Sequence, residues 1–144
     1  MCGIAGYIDK IDKEQNYINK ILEVIKNRGP DSSGFWTDKN HGIYIGHTRL
    51  SILDLSNNGS QPMLSREKRY LVSFNGEIYN HKNLRNLIKE KDQSYIWQSN
   101  SDTETICKSL ETFGIEKVLS ILNGMFALSI WDKKNNILYL ARDR

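Results

Sequence analysis

The sequence predicts an α+β fold built on antiparallel sheet, and three observations carry that expectation. Strand-like and helix-like apolar spacings are mixed along the whole chain, and several of the connections between them are short. Near the end, Met125 to Trp131 and Ile137 to Ala141 read as strands joined by Asp132-Lys133-Lys134-Asn135-Asn136, a polar turn that folds them back as a hairpin. At 144 residues, with no repeat and no Pro/Gly/Ser-rich tract to mark a linker, one domain is expected, long enough to bury a core.

Taken in order, Gly3 to Asp9 reads as a buried strand. Gln15 to Asn27 carries Ile18, Ile21, Leu22 and Ile25 at helical spacing, and Arg28-Gly29-Pro30 ends that helix. Gly42 to Leu50 alternates Ile43, Ile45 and His47 against Tyr44, Gly46 and Thr48, the period of a strand. Ser56-Asn57-Asn58-Gly59-Ser60-Gln61-Pro62 is turn chemistry, so a long surface loop is expected after Arg49. Arg66-Glu67-Lys68-Arg69 contains its own acid and suits a solvated hairpin tip. Tyr70 to Phe74 is a short β-rich run stopped by Asn75-Gly76, a pair that favours positive φ and tight turning. Asn80 then caps a short helix with Leu84, Leu87 and Ile88. Ser101-Asp102-Thr103-Glu104 fits a capping box ahead of Ile106, Leu110 and Phe113, with a stop at Gly114.

Composition narrows the function. Hydrophobic content of 39% and charged content of 26% are those of a globular domain. Twenty basic against seventeen acidic residues give only +3, scattered evenly, which argues against nucleic acid as partner. No apolar run approaches the ~18 residues of a membrane span and no signal segment opens the chain, so no membrane partner and a cytoplasmic location are expected. Cys2 and Cys107 are too few and too far apart for a disulfide framework, and Cys107 sits with Ile106, Leu110 and Phe113 as a buried thiol. His41, His47 and His81 lack metal-ligand spacing, so no metal is expected.

Chemistry concentrates at Cys2. Removal of Met1 would put a thiol and a free α-amine on one residue, and an α-amine of pKa about 7.7–8.0, against about 10.4 for lysine, can accept the thiol proton near neutral pH. A thiolate activated by a base on its own residue is a recognised terminal nucleophile. Read alone, Cys2 is more often a small hydrophobe packed at the start of a strand than a nucleophile.

Seven segments, Met1-Cys2-Gly3-Ile4-Ala5-Gly6, Arg28-Gly29-Pro30-Asp31, Gly46-His47-Thr48-Arg49-Leu50-Ser51-Ile52, Gln61-Pro62, Asn75-Gly76-Glu77-Ile78-Tyr79-Asn80, Ser101-Asp102-Thr103-Glu104 and Ala141-Arg142-Asp143-Arg144, stand in an order that resembles one family. The chain looks like the glutaminase domain of class II glutamine amidotransferases, in the branch of the glutamine-hydrolysing asparagine synthetases, over residues 1–144.

That resemblance implies an N-terminal-nucleophile hydrolase fold, an αββα sandwich of antiparallel sheets, and hydrolysis of L-glutamine to glutamate and ammonia. It implies Cys2 as nucleophile, and the Asn75 side-chain amide with the Gly76 N–H as oxyanion hole. Arg49 would bind the α-carboxylate, Glu77 and Asp102 the α-ammonium, and the segment Leu50, Ser51, Ile52 and Leu53 would line the pocket. Without the resemblance, Asn75-Gly76 is a hairpin turn, Arg49 a surface charge, Asp102 a helix cap and Glu77 a solvated carboxylate. Arg28 to Asp31 is read as a structural turn, and His47 as a packing or hydrogen-bonding residue of its strand. Asparagine synthetases of this type continue past residue 144, finishing the sheet and adding a synthetase domain. ATP and magnesium are expected only in that domain, and no cofactor in this chain, which has no Gly-rich phosphate loop. Expected partners are L-glutamine and a synthetase domain or subunit, and a homodimer is compatible with the resemblance. The alternatives are the glutaminase part of another amidotransferase of the branch, or a glutamine- or partner-binding piece with little turnover.

Overall fold

A computed structural model describes residues 2–9, 16–52 and 54–144 of the chain. Among them are seven strands and four α-helices: β1 (Gly3–Ile8), α1 (Asn16–Val24), β2 (Ser32–Asp38), β3 (Ile43–Arg49), β4 (Met63–Leu64), β5 (Tyr70–Ile78), α2 (His81–Lys91), α3 (Asp102–Phe113), α4 (Ile115–Ile121), β6 (Gly124–Asp132) and β7 (Ile137–Arg142). All pairings between these strands are antiparallel. One sheet has the order β1-β3-β2 and the other β4-β5-β6-β7.

The alternation along β3 decides the layering. Ile43 and Ile45 face the second sheet, where they meet Leu71 and Trp131 with Trp36 and Leu138 against them. Tyr44 faces the other way, onto Ile18 and Leu22 of α1. On β5 the inverse holds, with Tyr70, Val72 and Phe74 packed on Leu84, Ile106, Leu110 and Val118 of the helices. Helix, sheet, sheet and helices are thus stacked in four layers, each fully buried aliphatic side chain contributing roughly 1.5–3 kcal/mol. The β4–β5 hairpin carries Arg66, Glu67 and Lys68 exposed at its tip, and Cys107 is buried.

Several expectations need correction. The first strand is only partly buried, because β1 lies at a sheet edge and exposes Gly6 and Ile8. The first helix ends at Val24, a 3-10 turn over Lys26–Arg28 completing it. Asn75-Gly76 makes no turn. β5 runs through it to Ile78, paired with β6 by Asn75 against Ala127 and Gly76 against Phe126. Asn80 precedes α2 without a side-chain capping bond, since its amide donates to the Ile121 carbonyl and its oxygen accepts from the Asn123 N–H. Ser101 does cap α3, accepting from the Thr103 N–H, but Glu104 does not reach back to it as a capping box requires. Glu104 instead accepts from Gln98 and Ser99. β2, β4 and α4 had no counterpart in the sequence reading. No helix among the described residues is long and apolar enough to cross a membrane.

Candidate active site

Where the two sheets meet at the ends of β1, β3 and β5, a cavity of about 360 Å³ opens. Cys2, Arg49, Leu50, Ile52, Asn75, Gly76, Glu77 and Asp102 all line it. Of the residues expected at the site, Ser51 does not line it, and Leu53 and Met1 lie outside the described residues.

Cys2 is half-buried, with the Leu50 N–H donating to its Sγ at 3.4 Å and the Leu50 carbonyl 3.7 Å away. The Arg28-Gly29-Pro30-Asp31 turn is the platform beneath it. Arg28 Nε donates to the Cys2 carbonyl at 3.1 Å, the Asp31 N–H donates to the Arg49 carbonyl at 3.0 Å, and Asp31 Oδ2 accepts from the Ser51 N–H at 2.7 Å. A Cβ on Gly29 would stand 2.3 Å from the Thr48 carbonyl, so only glycine allows the turn to lie this close to β3. Ser51 is thereby a fixing point of the wall.

The β5 segment forms another part of the wall. Gly76 has φ +155°, and a Cβ there would stand 2.1 Å from the Met125 carbonyl. Its absent side chain serves a close approach between strands, where the sequence suggested a turn. Asn75 is half-buried beside it, and Met125, Phe126 and Ala127 of β6 complete this side.

The rest of the rim consists of loops held by side chains. Arg49, only 8% exposed, donates through Nη1 to the Ser56 carbonyl at 2.8 Å and through Nη2 to the Asp54 carbonyl, which bends the loop after β3 around its guanidinium. Asp54 Oδ1 accepts from the Ser56 N–H and Oδ2 from the Asn100 N–H, tying this loop to the one before α3. Its bond from the Ser56 hydroxyl, first among several, lowers the Asp54 pKa. The loop before α3 closes on Glu104, which is 6% exposed and accepts from the Gln98 and Ser99 N–H groups, the Ser99 hydroxyl and the Tyr95 phenol. Arg85 donates to the Ser99 and Ser101 carbonyls and to Thr105 Oγ1, and its guanidinium lies 4.0 Å from the Trp97 ring centroid. These bonds deliver Asp102, 5% exposed, to the cavity wall, where its Oδ2 accepts from the Ile78 N–H at 3.1 Å. Burial raises the Asp102 pKa against the opposing pull of those backbone bonds.

The arrangement therefore sets a thiol, a strand edge with a side-chain amide, a guanidinium and two carboxylates around one small cavity. Asp54, Gln61 and the Met125–Ala127 stretch were not anticipated. Gln61-Pro62 carried no assigned role, and nothing local marks Asp54 or Met125–Ala127.

The sequence profile described as "Glutamine amidotransferase domain" matches residues 1–144. Glutamine-hydrolysing asparagine synthetase 3 of Bacillus subtilis (strain 168) is 35% identical over 149 residues, covering 100% of this chain and 23% of the relative. Asparagine synthetase 1 of the same organism is 39% identical, covering 99% of this chain and 22% of the relative. Asparagine synthetase 2 of Arabidopsis thaliana is 38% identical, covering 99% and 24%. The chain thus spans about a quarter of the length of these relatives. Among solved structures, a glutamine phosphoribosylpyrophosphate amidotransferase from B. subtilis is similar at a TM-score of 0.55 and 24% identity, covering 71% of this chain and 23% of that one. That likeness concerns the fold alone, two antiparallel sheets between helices.

Proposed function

The chain belongs to the glutamine amidotransferase domain family, and from that premise we propose that it hydrolyses L-glutamine to glutamate and ammonia with Cys2 as nucleophile. The observation that carries this reading is the single cavity shared by Cys2, Asn75, Gly76, Arg49 and Asp102. Once Met1 is removed, the Cys2 amine takes the thiol proton and Sγ bonds to the side-chain amide carbon. The carbonyl oxygen becomes an oxyanion, met by the Asn75 amide and the Gly76 N–H, each such donor being worth ~3–4 kcal/mol. The amine passes its proton to the leaving nitrogen, the C–N bond breaks and ammonia departs. Water then gives the same amine a proton and attacks the thioester, the C–S bond breaks and glutamate leaves.

Recognition of the amino acid falls to the other end. Arg49 has five N–H donors, of which those not given to Ser56 and Asp54 remain for the α-carboxylate. Asp102 and Glu77 supply the charge for the α-ammonium, and Ile52 with the Leu50 backbone closes the wall. The ammonia would be used, in the cytoplasm, to form asparagine in a synthetase domain or subunit, as the names of the relatives suggest, and ATP and magnesium would belong to that domain.

Incubating the chain with glutamine and following glutamate release tests this, with Cys2→Ala beside it. Release by the native protein and none by the variant is expected, with mass spectrometry showing loss of Met1. Equal release by both overturns the assignment.

A further inference from the structure

His47 is fully buried between the sheets, and the hydrolysis described above makes no use of it. Its Nε2 lies 3.0 Å from the Phe74 carbonyl, an atom that can only accept, so Nε2 carries the proton and donates. Its Nδ1 is buried without a hydrogen-bond partner among the described residues. Burial lowers the pKa to about 4, which keeps the ring neutral. On the other side of the same residue, the Phe74 N–H donates to Gln61 Oε1 at 2.6 Å.

The place of this pair in the fold gives it meaning. β4 pairs with β5 only at Val72 and Leu71, so beyond them no strand among the described residues lies beside that edge of β5. The peptides on either side of Phe74 are held there by side chains. The second of these peptides ends in the nitrogen of Asn75. His47 stands on β3, whose other edge is paired with β1, the strand that begins beside Cys2. One imidazole thus joins the sheet that carries the nucleophile to the strand that carries the anion donors.

We propose that His47 and Gln61 are positioning residues, clamping the Phe74 peptide so that Asn75 and Gly76 stand at the correct distance from Cys2 for the oxyanion. The inference rests on the glutaminase reading. A donor displaced by about 1 Å in such a site costs up to about 100-fold in rate.

The test compares His47→Leu, which keeps volume and loses the donor, with His47→Gln, which can place an N–H near the position of Nε2. Steady-state kinetics with glutamine, the pH profile of kcat, and the rate of Cys2 alkylation by iodoacetamide are measured for each. His47→Leu is expected to lower kcat roughly 10- to 100-fold, with KM within about threefold and alkylation unchanged, because alkylation forms no oxyanion. His47→Gln is expected to recover most of kcat and to keep the native pH profile. Native-like kcat in His47→Leu overturns the proposal. So does a fall of kcat and alkylation in equal proportion, which reports lost folded sites, or loss of the acidic limb in both variants, which would make His47 a base. Should His47→Leu fail to fold, Gln61→Met against Gln61→Glu decides, the first expected to lower kcat and the second, which keeps the acceptor, to retain it. A native chain without Cys2-dependent turnover would instead overturn the glutaminase reading itself.

Discussion

In the proposed reading, the reacting end of the cavity rests on paired strands, while its recognising end lies on loops pinned by charged side chains. Cys2, Asn75 and Gly76 sit on or beside β1 and β5, whose backbones are fixed by β3 and β6. Arg49, Asp54 and Glu104 instead gather irregular backbone, each taking up peptide groups of the loops, while Asp102 at the start of α3 accepts from Ile78 at the end of β5. Bond-making tolerates little displacement and so uses the stiffest backbone available. Selection among amino acids needs a surface that can be shaped, and loops provide it.

Substitutions in the two regions should therefore separate kcat from KM. The largest effect is expected at the strand side. Asn75→Ala should lower kcat by roughly 10²–10³ with little change in KM or melting temperature. Gly76→Ala should do the same and also destabilise the protein, because its Cβ would collide with the Met125 carbonyl at 2.1 Å. Steady-state kinetics and thermal melts separate the two.

Next in size is Arg49→Lys, expected to raise KM about tenfold or more with a smaller loss of kcat. A single ammonium cannot hold the Ser56 and Asp54 carbonyls and a carboxylate in one plane. An equal collapse of kcat would erase the distinction between the two regions. Asp102→Asn should also raise KM, by removing the charge that faces the ammonium, yet without loss of stability. Burial raises the Asp102 pKa, so stability linked to this group is present at low pH and lost as pH rises through its folded value. The neutral amide escapes that loss while still accepting from Ile78, and a melt at pH 7 should show it equal to or above the native protein.

The smallest effect on activity is expected from acid on the sheet interface. His47, lowered from 6.5 to about 4, stays neutral in the fold while the unfolded chain takes up a proton. The stability it supports is present above pH 6.5 and lost as pH falls toward 4, on the order of 3 kcal/mol. Denaturant titrations at pH 7 and pH 4 should show this loss in the native protein and a smaller one in His47→Gln.

What the sequence disclosed follows the same division. The alternation of Ile43, Ile45 and His47 against Tyr44, Gly46 and Thr48 exposed the central strand, since a buried strand has no choice about which side chains face which layer. The edge strand β2, Ser-Ser-Gly-Phe-Trp-Thr-Asp, hides because half of it is exposed and its two serines and glycine mimic a turn. Asn75-Gly76 misled for a related reason. A glycine needed for left-handed turning and one needed to let a neighbouring strand approach look the same in sequence, and only the pairing with Phe126 distinguishes them. Glu104 stands where a capping box wants it, but the loop before α3 offers it more donors than the helix end does. The side chains proposed to act at the cavity were proposed through resemblance. The contacts that hold them, such as Gln61 to Phe74 and Asp54 to Asn100, join distant stretches with no local signal.

Arg85 stacked over Trp97 gives the recognition loop an optical label of its own. Trp36 and Trp131 pack in the cluster between the sheets, away from that loop. Intrinsic fluorescence from the third indole will change with any motion that parts it from its cation, so emission reports on the packing of that loop with no dye attached.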